Sequence, residues 1–298
     1  MVLLTTQLFP CNGSGQLLEP DHQVLKALRS SNLQQCPGVR NPHLKSISLS
    51  QSAAAHWVQT YVLPCTNQVS FGWITLGNEA IPGPNAKYVA SAMSNMHLVL
   101  NSVGLVSTRI TAVVPMEVLK NFNPPSARAF SEQSLTVMND VAASLLRTGS
   151  PLMVNVYPYF AYALNPKQFS YEYATFIAKQ PVVDGHLKYY SPSDAMVDGF
   201  YAALEKINAG NVTLCESETG WPTAAKNSHA SPENAKMYNA NLCFHVVNNG
   251  TPRRPNNLLD TFLFEMLDEK KKPGGAKQHF GLFHKNLAPA YRLFDTCK

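Results

Sequence analysis

The chain has 298 residues, 45% hydrophobic and 14% charged, with a net charge of +5. That length suits one large barrel or two modest domains with a sizeable core. A charged fraction well below the roughly 25% of an average soluble domain excludes a disordered or nucleic-acid-coating chain.

No apolar stretch reaches the ~20 residues of a membrane span. The first ten residues have no basic n-region and too short an apolar run for a signal peptide, so the chain is expected to be soluble, with no visible address. Residues 1–20 are weakly patterned, and Gly13, Ser14 and Gly15 suggest a loop. Val24 to Leu28 forms a brief helical turn, and residues 33–39 make a poor strand, polar and broken by Pro37. Ala53, Ala54, Trp57, Val58 and Tyr61 have helical spacing.

From residue 70 strands and helices alternate. Strands are expected over 71–77, 109–114, 152–157, 212–216 and 261–266, and helices over 85–103, 134–146, 171–178, 194–207 and 232–247. Continuous apolar strands fit a parallel sheet buried on both faces. An open doubly wound sheet and a closed barrel both give this pattern. No glycine-rich nucleotide fingerprint follows any strand. Polar residues collect instead at strand ends, at Glu79, Glu117, Tyr157, Glu218, Asp268 and Glu269. In a (β/α)8 barrel those ends share one face, where the active site lies.

Two stretches carry the chemistry. Val212-Thr213-Leu214 leads into Cys215-Glu216-Ser217-Glu218-Thr219-Gly220-Trp221-Pro222, and Ile74-Thr75-Leu76-Gly77 leads into Asn78-Glu79. Each is an apolar strand ending in a carboxylate. A retaining glycosidase needs two carboxyls ~5 Å apart, one protonated to serve the leaving oxygen and one ionised to attack the anomeric carbon. Glu79 is assigned as acid/base and Glu218 as nucleophile. Asn78 is placed to bond a sugar hydroxyl, and Trp221 to offer a flat face for a sugar ring.

Ile74 to Glu79, Val154 to Tyr162, Glu218 to Pro222 and Thr261 to Gly274, followed by His279-Phe280-Gly281-Leu282-Phe283, resemble the motifs of the plant endo-1,3-β-glucanases, glycoside hydrolase family 17. The match runs from about residue 50 to 283. The resemblance implies one (β/α)8 barrel domain spanning 1–298 and retaining hydrolysis of internal β-1,3-glucosidic bonds. It places Glu79 on the acid and Glu218 on the nucleophile, with Tyr157, Glu269 and Lys272 lining the cleft. It implies no metal or organic cofactor and a polysaccharide partner, β-1,3-glucan, rather than nucleic acid or membrane. It further implies a monomer, a secreted or vacuolar location, and roles in plant defence and at the cell wall.

Two departures follow. The family opens with a strand, a helix and a second strand. Residues 1–20 do not look like these, so the barrel is expected to be incomplete or altered in its first two βα units. Either residues 1–20 supply a substitute strand, or the barrel is open and marginal, or the start is truncated or misplaced. The rival reading is therefore a catalytically impaired glucan-binding or interaction protein. Glu216 also stands where the family has an apolar residue. On a straight strand it points inward beneath Glu218, raises the pKa of one of the pair by like-charge repulsion, and lowers activity at neutral pH.

Other features are weak. Six cysteines, at 11, 36, 65, 215, 243 and 297, form no C-x-x-C, and their pairing cannot be read. Sequons begin at Asn12, Asn211 and Asn249. Lys270-Lys271-Lys272 reads as a solvated run, Trp57 and Trp73 as core, and His97 as structural.

Overall fold

The computed structural model describes residues 4–7, 14–121, 123–226, 229–269 and 271–293. Cys11, Asn12, Lys270 and Cys297 therefore lie outside the described residues. Eight strands form the barrel wall: β1 (Leu4–Gln7), β2 (Ser14–Leu17), β3 (Gln34–Val39), β4 (Trp73–Asn78), β5 (Arg109–Pro115), β6 (Leu152–Asn155), β7 (Leu214–Thr219) and β8 (Asp260–Leu263). From β2 to β8 each strand pairs in parallel with the next. β1 runs antiparallel to both β2 and β8 and completes the circuit.

This corrects the expectation of two missing strands. β2 is an ordinary parallel member, and β1 fills the first position upside down. A parallel neighbour needs a crossover of a dozen or more residues, usually a helix, whereas an antiparallel neighbour needs only a short link. The reversed strand thus removes the exposed edges that an open barrel would carry. The start of the barrel is altered but closed.

Among the helices that pack outside or connect the strands are α1 (His22–Ala27), α2 (Gln51–Tyr61), α3 (Val89–Ser102), α4 (Glu132–Thr148), α5 (Pro192–Lys206) and α6 (Pro232–Asn248). Their starts are legible in sequence. Asp21, Ser50, Ser191 and Ser231 each accept a backbone N–H of the first turn, and Pro192 and Pro232 stand at the first helical position. The helix expected over 171–178 shortens to Tyr171–Ala174.

The core has three clusters, one of them around Tyr159, Trp221, Tyr238 and Phe280. Cys36, Trp73, Val113, Met153, Cys215 and Phe262 form a cluster of one inward-facing residue from each of six strands. A larger layer fills the space between strands and helices and contains Trp57. β3, which looked too polar for a core strand, is buried along most of its length. Its Gln35 turns an amide back to the Leu33 carbonyl (3.3 Å), which satisfies part of the side chain locally. The described cysteines 36, 65, 215 and 243 are buried, and 36, 65 and 215 are free. Among the described residues no helix is long and apolar enough to cross a membrane.

Candidate active site

Two bulges build the site. On β4 the pairing to β5 shifts between Thr75 and Asn78. Gly77 (φ +79°) and Glu79 (φ +52°) take left-handed conformations there. A side chain at Gly77 would meet Asn41 Oδ1 at 2.8 Å and Leu44 Cδ1 at 2.9 Å, so glycine is required. Asn41 accepts from the Asn78 N–H (2.9 Å) and donates to the Asn78 carbonyl (2.8 Å), replacing the ladder bonds lost at the bulge. Glu79 is exposed, presented at the strand's C-terminal end.

On β7 the pairing shifts between Glu216 and Glu218. Cys215 belongs to the barrel interior. Glu216 turns to the helix side, where it meets Ser193 of α5 and Thr261 of β8, both at 3.3 Å. The extra residue then lets Ser217 and Glu218 both face the cleft end of the barrel. Ser217 Oγ donates to Asn155 Oδ1 (2.9 Å) and Tyr157 Oη donates to Glu218 Oε2 (2.8 Å). Glu216 therefore does not lie beneath Glu218. The straight-strand expectation is corrected by the bulge. Gly220 follows because any side chain there would collide with the Phe264 carbonyl.

Asn155 ties Glu79 to the strand that carries Glu218. Its Nδ2 donates to Glu79 Oε1 at 2.8 Å and reaches Asn78 Oδ1 at 3.3 Å, while its Oδ1 holds Ser217 beside Glu218. Glu218 is 5% exposed. Burial, then the Glu79 carboxylate, pushes its carboxyl up to about 7; the Tyr157 hydroxyl and the Lys272 charge pull the other way. Its other oxygen, Oε1, is buried with no hydrogen-bond partner among the described residues.

Lys272 is drawn in from the loop after β8. Its ammonium lies 2.9 Å from Glu269 Oε2 and 3.3 Å from Glu265 Oε2, and 4.0 Å from the centre of the Phe264 ring. It is not part of a solvated run. Glu265 is fully buried, and burial pushes its carboxyl up to about 8 against the Lys272 charge. Its role escaped the sequence reading, although Thr261-Phe262-Leu263-Phe264-Glu265 carries the same signal, an apolar strand ending in an acid, that singled out Glu79 and Glu218. Asn155 was missed because nothing in Val154-Asn155-Val156 marks it.

Trp221 is not a sugar platform. It is 0% exposed, packs edge-on against Tyr159 (5.1 Å), and donates its indole N–H to the His229 carbonyl (2.9 Å). Half-buried Tyr157 is the aromatic that touches Glu218, and its ring centre lies 5.6 Å from that of half-buried Phe160. His97 bonds only Asn101 on its own helix (3.1 Å), consistent with a structural role. Among the described residues no group of three or more His, Cys, Asp or Glu could hold a metal ion.

Two carboxyls at the ends of different strands, one exposed and one buried, thus have the unlike surroundings that an acid and a nucleophile need in glycoside cleavage. The sequence profile of Glycosyl hydrolases family 17 matches residues 8–294. The chain belongs to this family. A glucan endo-1,3-beta-glucosidase GII of Hordeum vulgare is 41% identical over 276 residues, 92% of this chain and 80% of that protein. Lichenase-2 of Hordeum vulgare is 37% identical over 289 residues, 96% and 91%. A basic vacuolar isoform of glucan endo-1,3-beta-glucosidase from Nicotiana plumbaginifolia is 36% identical over 295 residues, 96% and 80%. One of two solved plant beta-glucan endohydrolases with distinct substrate specificities superposes with a TM-score of 0.89 at 36% identity, covering 94% of this chain and 90% of that one. The barrel is thus the family-17 barrel, with its first strand reversed.

Proposed function

We propose that the chain is a retaining endo-hydrolase of internal β-1,3-glucosidic bonds in β-glucans, with Glu79 as acid/base and Glu218 as nucleophile. The observation that carries this is the Glu79–Asn155–Ser217 bridge, which brings exposed Glu79 and buried Glu218 to one end of the barrel. Glu79 protonates the leaving oxygen while Glu218 attacks the anomeric carbon; Glu79 then activates the water that releases the glycosyl group. Protonation of Glu79 also removes the charge that most opposes ionisation of Glu218 after burial itself. Tyr157 holds Oε2 of the nucleophile, and Asn78, Glu269 and Lys272 complete the sugar-binding wall.

The impaired-protein reading rested on two absent strands, and β1 and β2 occupy those places. The chain acts as a monomer in a secreted or vacuolar location, the latter suggested by the vacuolar Nicotiana relative. The test is reducing-sugar release from a linear 1,3-β-glucan and from lichenan by the protein and by its Glu218→Ala variant. Release from the linear glucan that vanishes in the variant supports the reading. Release from lichenan alone would move the substrate to that of the relative named Lichenase-2.

A further inference from the structure

Behind the nucleophile strand lies a buried polar layer that the mechanism above does not use. Glu216, 0% exposed, projects from β7 away from the cleft. Its Oε1 accepts from Ser193 Oγ of α5 and its Oε2 lies against Thr261 Oγ1 of β8, both at 3.3 Å. Three residues on, Thr219 returns to the same side and shares a hydrogen bond with Tyr238 Oη of α6 (2.8 Å). These two anchors bracket Ser217 and Glu218, the inward-facing pair at the bulge. A bulged strand loses ladder bonds on both sides, so its shape depends on such side-chain ties.

We propose that Glu216 is a positioning residue for the reaction, whose carboxyl clamps the bulge to α5 and β8 and thereby aims Glu218 into the cleft. This rests on the reading of Glu218 as nucleophile. Proton counting describes the state of the clamp. Thr261 has one hydroxyl proton and two neighbours that accept it, the Leu259 carbonyl at 3.1 Å and Glu216 at 3.3 Å. A carbonyl can only accept. The single Thr261 proton is shared between these two acceptors, so Glu216 has no donor of its own on that side and its charged form is poorly supported.

The surroundings agree. Asp194 on α5 adds a like charge, and its Oδ1 lies 2.9 Å from His245 Nε2 of α6. Tyr238 of α6 and Cys215 of β7 are the other titratable groups nearby, both raised by burial first. Among the described residues no Lys, Arg or His forms an ion pair with Glu216. Burial pushes its carboxyl up to about 8, against the bonds from Ser193, Thr261 and Thr219.

The test compares Glu216→Ala, Glu216→Gln and Glu218→Ala in the full chain on a linear 1,3-β-glucan. A displacement near 1 Å costs on the order of 100-fold, so Glu216→Ala is expected to lose about 10- to 100-fold in kcat with KM within roughly twofold. Glu216→Gln, which keeps an acceptor and carries a donor as the neutral acid does, is expected to hold kcat near the parent. Its melting temperature should match the parent near pH 4.5 and exceed it increasingly up to pH 8, because only the parent must release a buried proton. Parental kcat in Glu216→Ala overturns the proposal, as does a Glu216→Gln advantage that does not change with pH. Should Glu216→Ala fail to fold, Thr261→Val takes its place: a fall in kcat at constant KM is required, and parental kcat overturns the clamp. Activity surviving in Glu218→Ala would instead overturn the nucleophile assignment.

Discussion

Tyr157 Oη lies 2.8 Å from Glu218 Oε2 and donates to it. The ring that carries this hydroxyl is wedged edge-on against Phe264 (5.8 Å) and Phe280 (5.6 Å). The phenol is therefore fixed by packing, and the bond to the carboxylate needs no rearrangement when charge forms.

Tyr157→Phe keeps the packing and removes the donor. A hydrogen bond to a charged group is worth about 1.5–3 kcal/mol, so kcat should fall roughly 10- to 100-fold. Because the hydroxyl holds Glu218 down, the acid limb of kcat/KM should move to higher pH. A pH–rate profile on a linear 1,3-β-glucan checks both.

Glu79→Gln should move that limb the other way. The Glu79 charge is the largest influence on Glu218 after burial. Its removal is expected to lower the pH at which Glu218 ionises. The measurement uses an aryl glycoside of a β-1,3-linked glucose disaccharide, whose leaving group needs no acid, so that the first step remains visible.

The stability of the fold should decline with pH. Asp198 is raised to about 6, Glu218 to about 7, and Glu216 and Glu265 to about 8, in each case chiefly by burial. Between about pH 4 and 8 the folded state therefore binds more protons than the unfolded chain, and stability falls as pH rises through that window. Melting temperatures are expected to be highest near pH 4.5 and to drop steadily to pH 8. A rise over that range would contradict the burial of these acids.

Lys272→Met should uncover a second dependence. Lys272 is paired with both Glu265 and Glu269 and is 17% exposed. Breaking a buried pair costs up to about 3–5 kcal/mol. Proton uptake by Glu265 offsets part of this at low pH, so the variant should be most destabilised at alkaline pH. Thermal melts at pH 5 and pH 8 decide it.

Much of this was legible in the chain. The alternation after residue 70 marks six of the eight barrel strands in outline when the poor strand at 33–39 is counted. Glycines after apolar runs at 77 and 220 mark the turns that aim the acids. What stayed hidden has a common cause. The reversed β1 has no helix of its own to announce it, and its four residues are too few to show periodicity. The bulge on β7 cannot be read from side-chain alternation, because it is the alternation that it breaks; Glu216 was therefore placed on the wrong face. Trp221 was misassigned because a sugar platform and a core tryptophan look alike until burial is known.

Thr6→Pro probes the closure directly. Thr6 pairs with Gly15 on one side and Leu263 on the other. Proline removes a donor from a strand paired on both edges, at a cost of order 1–3 kcal/mol for each partner left unsatisfied. A lower melting temperature with loss of activity is expected, and an unchanged melt would contradict the role of β1 as the closing strand.

The roles of the two acids are tested most directly by azide rescue, with the product anomer read by NMR. Glu79→Ala, given azide and an activated β-glycoside, should yield the β-glycosyl azide, since azide replaces water on the glycosyl-enzyme. Glu218→Ala should yield the α-azide, since azide then takes the place of the missing nucleophile. The reverse pattern would interchange the two roles and contradict the account.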